Sequence, residues 1–167
     1  TVYDVVYIVS ALISNDLERL DNLLQLNVKD INRIKDKFSS SRIIFCSSVS
    51  VFDAIKEGNI NDDTIPATET IYGLSKLMGE QIIRQHKNYG IIRISSMYGL
   101  GMKSSTFLPK IVQHAVDTNK ITLLGTGSRL QNYIHVQDVA MLAKKLGEIS
   151  INETIFCILT VLFVFLK

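Results

Sequence analysis

The sequence predicts an α/β protein built on a parallel sheet, and three observations lead there. Short runs rich in Ile and Val recur at residues 2–9 (VYDVVYIV), 42–46 (RIIFC) and 90–95 (GIIRIS), almost continuous in their apolar character. Strands covered by helices on both sides read this way, because both faces of a parallel sheet are buried. The stretches between the runs are each long enough for the helical crossover that parallel neighbours require, and each carries apolar residues at helical spacing.

Taken in order, residues 2–9 are the first strand. Asn15 or Asp16 then offers an N-cap, with Glu18 at capping-box distance from Asn15. Leu17, Leu20, Leu24, Ile31, Ile34 and Phe38 follow as one long amphipathic helix. Asn27 falls on that apolar stripe, so its amide is expected to be buried and hydrogen-bonded to a neighbouring layer. Ser39, Ser40 and Ser41 make a turn into the second strand, residues 42–46. A polar loop containing Gly58, Asn59 and Asn61 leads to Pro66 and a helix from about Thr70. That helix offers Leu74, Met78 and Ile82 to the core and stops at Asn88-Tyr89-Gly90, before the third strand. Past Gly101, Ser105 or Thr106 caps a helix with Pro109 in its first turn, ending near Asn119. Residues 121–124 and 133–136 are short strands flanking a glycine-bearing turn, and Asp138 caps a last helix over 139–146.

Composition removes several functional classes. With 167 residues the chain has one domain's length, and 47% hydrophobic with 20% charged residues excludes long disorder. A net charge of +2, with no Lys/Arg run among aromatics, gives no basis for a nucleic-acid partner. Cys46 and Cys157 lie in apolar runs without ligand spacing, which points to reduced thiols, no metal and a cytoplasmic location. His86 and His114 are expected on helix surfaces, and His135 packed in a strand. No signal peptide is visible at the first residues. The tail is apolar from residue 155 to 166 apart from Thr160, but a spanning helix needs ~20 such residues. It reads as one or two buried strands rather than a membrane element.

One constellation carries chemistry. Ser47 and Ser48 close a buried strand, and Tyr72 and Lys76 sit at i and i+4 in Tyr72-Gly73-Leu74-Ser75-Lys76, on one helix face. A phenol has an ordinary pKa of ~10 and is a poor base at neutral pH. A neighbouring ammonium favours the phenolate, and a serine hydroxyl on the same substrate oxygen completes a site for oxidising an alcohol or reducing a ketone. Strand ends of a parallel sheet are where α/β folds place ligands.

These residues resemble the extended short-chain dehydrogenases/reductases, the NAD-dependent epimerase/dehydratase family that includes UDP-glucose 4-epimerase. Residues 4–11 (DVVYIVSA) are similar to the family's strand and alanine-containing turn beside the cofactor, and Asn27-Val28 to its Asn-Val pair. Residues 45–52 (FCSSVSVF) resemble the segment of the catalytic Ser or Thr, matched here by Ser48. Tyr72 and Lys76, followed by Gly79-Glu80, resemble the Tyr/Lys motif; residues 93–99 (RISSMYG) the turn past the nicotinamide; and residues 125–140 the border of the nucleotide-sugar pocket. The resemblance implies a Rossmann-like, doubly wound parallel sheet, of which only the C-terminal part is present, with a small substrate-binding portion. It implies catalytic roles for Ser48, Tyr72 and Lys76, and cofactor contacts from Ser10, Ala11, Asn27, Tyr72, Lys76 and Ser95. Substrate contacts are implied for Ser48, Ser96, Arg129 and Gln131, with NAD as cofactor and NADP left open. The partner it implies is a nucleotide sugar, and it allows a homodimer of the full-length protein.

The departures are specific too. No glycine-rich turn follows residues 2–9 to cradle dinucleotide phosphates, and residues from 154 on do not resemble the family. The chain is expected to begin about halfway through the dinucleotide-binding sheet, as a truncated or frame-shifted reading frame. The expected division is a partial NAD(P)-binding domain over 1–100, a substrate-binding portion over 101–150 and an apolar tail over 151–167. Gln131 stands where many members have an arginine, Ser96 where the epimerase has an Asn, and Val49 and Ser50 where sugar dehydratases carry Asp and Glu. Without those carboxylates, dehydration lacks its acid and base. The expected activity is epimerisation of a nucleotide sugar through transient oxidation of a hydroxyl. An NAD(P)-dependent sugar dehydrogenase or reductase, and a non-catalytic remnant of the fold, stay open. This chain alone is expected to bind NAD poorly and to turn nothing over.

Overall fold

The structure, a computed structural model, describes residues 2–56, 58–122, 130–158 and 163–164. Strand β1 (Val5–Ile8) leads through residues 9–16 into a helical run made of a 3₁₀ turn (Leu17–Arg19), α1 (Leu20–Leu24), a π turn (Gln25–Lys29) and α2 (Asp30–Lys37). Then come β2 (Arg42–Ser48), a 3₁₀ turn (Val49–Phe52), α3 (Ile71–Arg84), β3 (Tyr89–Ile94) and β4 (Ser96–Tyr98). They are followed by α4 (Phe107–Thr118), β5 (Leu130–Gln131), β6 (Tyr133–His135), α5 (Val136–Glu148), β7 (Glu153–Cys157) and β8 (Phe163–Val164).

The main sheet has the order β1-β2-β3-β7 and every pairing is parallel. Alternation along β2 and β3 sends Ile43, Phe45 and Ile91 to one face, where Ile8, Ile31 and Ile83 meet them. Ile44, Ile92 and Ile94 point to the other face, against Val139, Ala143 and Leu146 of α5 and Cys157. Both faces of the central strands are therefore buried, each such side chain adding ~1.5–3 kcal/mol, and the sheet is wound on both sides. Gly79 lets α3 approach closely: a Cβ there would lie 2.7 Å from the Phe45 ring. Two short pairings stand apart, β4 with β6 in parallel and β5 with β8 antiparallel.

The apolar run near the C-terminus completes the sheet. β7 aligns Gly90 with Glu153 and Ile94 with Cys157, and polar groups anchor its entry. Asn152 accepts from Tyr89 N–H (2.8 Å) and donates to the Lys87 carbonyl (2.9 Å). Buried Arg42 donates to the carbonyls of Leu146 (2.8 Å) and Ile151 (2.9 Å) and to the Asn88 side chain. No described helix is long and apolar enough to cross a membrane.

Several expectations are corrected. Asn15 and Glu18 form no capping box; Asp16 caps the first turn by accepting from Glu18 N–H (3.0 Å). The predicted single helix contains the π turn around Asn27, and Leu17 is exposed. α3 ends at Arg84, and it buries Gly73, Ser75, Lys76, Gly79, Glu80 and Ile83 while Leu74 and Met78 are exposed, because the polar residues find partners in the sheet. His86 is buried, its Nε2 2.7 Å from the Ser41 carbonyl oxygen. His135, not Asp138, caps α5 by accepting from Gln137 N–H (3.3 Å). Residues 121–122 form no strand, and residues 123–129, with the glycine-bearing turn and Arg129, lie outside the described residues.

Candidate active site

Ser48 ends β2 and caps the 3₁₀ turn after it, accepting from Ser50 N–H and donating to the Ser50 hydroxyl, both at 3.1 Å. Thr70 caps α3 by accepting from Gly73 N–H (3.1 Å), and its hydroxyl donates to Asp53. Gly73 is needed there, since a Cβ would lie 2.5 Å from the Ser50 carbonyl oxygen. This close seating brings the Tyr72 phenol near enough to Ser48 for the serine hydroxyl to act on it. Lys76, one turn on, is 2% exposed; its Nζ donates to the Cys46 carbonyl (2.6 Å) and lies 4.2 Å from the Phe45 ring centre. Ser48, Tyr72 and Lys76 thus converge at the C-terminal edge of the parallel sheet.

Burial dominates the electrostatics. It pushes the Tyr72 phenol above its ordinary value, and the Ser48 hydrogen bond pulls the other way without prevailing. The expected lowering of Tyr72 by Lys76 is therefore not what this arrangement produces. Lys76 is engaged with a backbone carbonyl, and its own pKa falls to about 8 because burial disfavours the ammonium; Cys46 and Glu80 oppose that fall.

The remaining residues divide. Ser10 and Ala11 are exposed on the loop after β1. Asn27 is buried and holds that loop: it accepts from Leu12 N–H (2.8 Å) and donates to the Leu12 carbonyl and the Ser75 hydroxyl, both at 2.9 Å. Both amide hydrogens are thereby used inside the protein. Ser95 is buried at the end of β3, and its hydroxyl has no hydrogen-bond partner among the described residues. Ser96 accepts from Gln131 Nε2 at 2.5 Å, tying β4 to β5.

Four features escaped the sequence. Asn15 accepts from Tyr72 N–H (3.0 Å) across 57 positions. Glu80 is a buried carboxylate at the centre of an ion-pair cluster. A mostly apolar cavity of about 440 Å³ opens between Tyr98, Gly99, Met102, Leu108, Val112 and Tyr133, where β4 and β6 face α4. A second cavity, about 350 Å³, is lined by Arg84, Arg93, Thr154 and Phe156 and by none of Ser48, Tyr72 and Lys76. No short-range pattern signals any of these; Asn15 reads locally as a cap for its own helix.

The profile of the NAD dependent epimerase/dehydratase family matches residues 3–149. The chain belongs to that family. A curated relative, the uncharacterized UDP-glucose epimerase YtcB of Bacillus subtilis (strain 168), is 22% identical over 120 residues, 67% of this chain and 38% of that protein. Among solved structures, MoeE5 in complex with UDP-glucose and NAD superposes with a TM-score of 0.84 at 19% identity, over 97% of this chain and 58% of that one. The UDP-glucuronic acid 4-epimerase from Bacillus cereus in complex with NAD gives 0.83 at 19% identity, over 96% and 55%. The NAD dependent NDP-hexosamine 5,6-dehydratase TunA gives 0.81 at 16%, over 96% and 56%. This family member thus spans less than three fifths of each of these solved chains, and its likeness to them is one of fold.

Proposed function

We propose that the chain is the proton-transfer half of a nucleotide-sugar epimerase. The observation that carries this is the gathering of Ser48, at the end of β2, and Tyr72, at the start of α3, at the sheet edge, with the Lys76 amine buried one turn away. NAD fits what is here of a cofactor site: the buried, unpartnered Ser95 hydroxyl and the Lys76 amine can meet its nicotinamide half, with Ser10 and Ala11 on the neighbouring loop. When bound, that group supplies hydride acceptance and return at a sugar carbon. Ser48 holds the sugar oxygen by hydrogen bonding, and Tyr72 takes the hydroxyl proton and later gives it back. Turned from the Cys46 carbonyl toward Tyr72, the Lys76 ammonium would oppose the rise that burial gives the phenol. Asn27 acts at one remove, by fixing the loop that carries Ser10 and Ala11. The apolar cavity beside Tyr98 and Tyr133 suits the nucleotide base, and Ser96 with Gln131, bonded to each other on the adjoining strands, can meet the sugar.

Epimerisation is favoured over dehydration. The turn after Ser48 carries no carboxylate, and Asp53 just beyond it accepts from Glu69 N–H and the Thr70 hydroxyl instead of facing a substrate. The test is calorimetric titration of NAD and NADH, with product analysis on UDP-glucose and UDP-glucuronate. It uses this chain alone and the chain extended upstream by a glycine-rich strand–turn–helix. Only the extended form is expected to bind NAD at micromolar concentration and to epimerise, and Tyr72→Phe should abolish turnover while sparing NAD binding. Net accumulation of NADH would reassign the site to a dehydrogenase, and NAD binding without conversion of any nucleotide sugar would make it a non-catalytic module.

A further inference from the structure

We propose that Glu80 is a positioning residue for the Ser48, Tyr72 and Lys76 group, fixing the strand end beside Ser48 and setting the charge environment of Lys76. The inference rests on the reading of that group as the active site. Glu80 lies at i+4 from Lys76, one turn further along the same face of α3, and is 0% exposed. A carboxylate so buried persists only if its oxygens are paired. Its Oε1 accepts from the Ser47 hydroxyl (2.6 Å) and from Arg93 Nε (3.1 Å), and its Oε2 from Arg93 Nη2 (2.8 Å). Arg84 Nη2 approaches Oε2 to 3.5 Å from a position one-third exposed.

Each partner leads back to the site. Ser47 directly precedes Ser48, so α3 grips the end of β2 on one side of the Ser48 hydroxyl. Arg93 lies against the packed rings of Phe52 (4.8 Å) and Phe156 (5.6 Å), and Phe52 ends the turn that Ser48 caps. The same carboxylate bears on Lys76 through its charge. Around Lys76, β2 contributes the Cys46 thiol, and α3 contributes Tyr72 one turn before it and Glu80 one turn after, with Arg84 and Arg93 engaged on Glu80. The helical run turns the uncharged Leu23, Asn27 and Ile31 inward, and the turn after Ser48 carries no charge. Glu80 is therefore the one described carboxylate acting on the Lys76 ammonium, beside the Cys46 thiol, and Arg84 and Arg93 compete for it.

The experiment is an NMR pH titration of the lysine side chains in the whole 167-residue chain, with the Lys76 signal assigned by its loss in Lys76→Met. Glu80→Gln should move the Lys76 midpoint down from about 8 by ~1 unit or more. Arg84→Gln, at a partly exposed site, should keep the fold and move it up, because Glu80 loses a competing cation. Opposite shifts distinguish a charge effect from general loosening, which would drive both variants the same way. Should Glu80→Gln fail to fold with Arg93 left unpaired, Arg84→Gln is compared with Arg84→Lys, which keeps the charge at the same site: a charge effect moves the midpoint up in the first only, and loosening moves it in both. A Lys76 midpoint equal to the unmodified chain's in every folded variant overturns the proposal. The titration needs neither cofactor nor sugar, so it stands or falls separately from the epimerase reading.

Discussion

Lys76 carries its charge at a site that resists it, and the sign of the consequence can be worked out. Its folded pKa, about 8, lies below the ordinary 10.5. Between those values the unfolded chain binds more protons than the folded one, so this group's contribution to stability rises with pH across that window. Below pH 8 both states are protonated and the penalty is present in full. Lys76→Met is therefore expected to stabilise the chain relative to the parent at pH 7, with the gain fading as pH approaches 10.5. Paired urea melts at pH 7 and pH 10 would show it, and a constant difference would contradict the burial argument. Asn27 makes the second residue-scale case. Asn27→Leu keeps its branched shape but strips both Leu12 backbone groups and Ser75 of a partner. The expected cost is ~1–3 kcal/mol, with faster amide hydrogen exchange at Leu12. Unchanged exchange there would show that water replaces the amide.

At the scale of elements, the strands were legible and the helix faces only partly so. β2 and β3 are read from their Ile-rich runs because both faces pack, and nothing outside the run is needed to see it. The face of α3 is different. Leu74 and Met78 look like core residues and are exposed, while Ser75, Lys76 and Glu80 are buried against Asn27, Cys46, Ser47 and Arg93, which lie far away in sequence. His86 went inside for the same reason, through the Ser41 carbonyl. The candidate site was legible to the extent that its residues sit at strand ends and at helical spacing. What tunes it was not, because that depends on burial and on cross-layer partners such as Asn15. Close approach of α3 to β2 also yields a prediction. Gly79→Ala places a methyl 2.7 Å from the Phe45 ring, so α3 must shift away at ~1–3 kcal/mol. Thermal melting should report the loss, and a melt equal to the parent's would mean that the Phe45 ring yields freely.

For the whole molecule, the open edge of the main sheet carries exposed apolar side chains. Among the described residues β1 pairs with β2 alone, and next to it Val2, Val9 and Ile13 are 85%, 72% and 74% exposed. A parallel edge flanked by apolar side chains favours intermolecular pairing. The isolated chain is expected to associate as its concentration rises, and Val9→Lys to weaken that association by charging the edge. Sedimentation velocity over a concentration series would settle it; identical profiles for the two chains would exonerate this edge.

The buried guanidinium of Arg42 has a consequence for how the chain comes to be folded. Its acceptors lie 46, 104 and 109 positions downstream, at Asn88, Leu146 and Ile151. During synthesis, β2 emerges with a cation at its first residue whose partners have not yet been made, so the strand cannot be sealed in the interior when it first appears. Folding of the sheet is thereby delayed until residue 151 and the strand after it have left the ribosome. A growing chain stopped before residue 151 should stay open to proteases, and become resistant in a single step once the segment that brings β7 is complete.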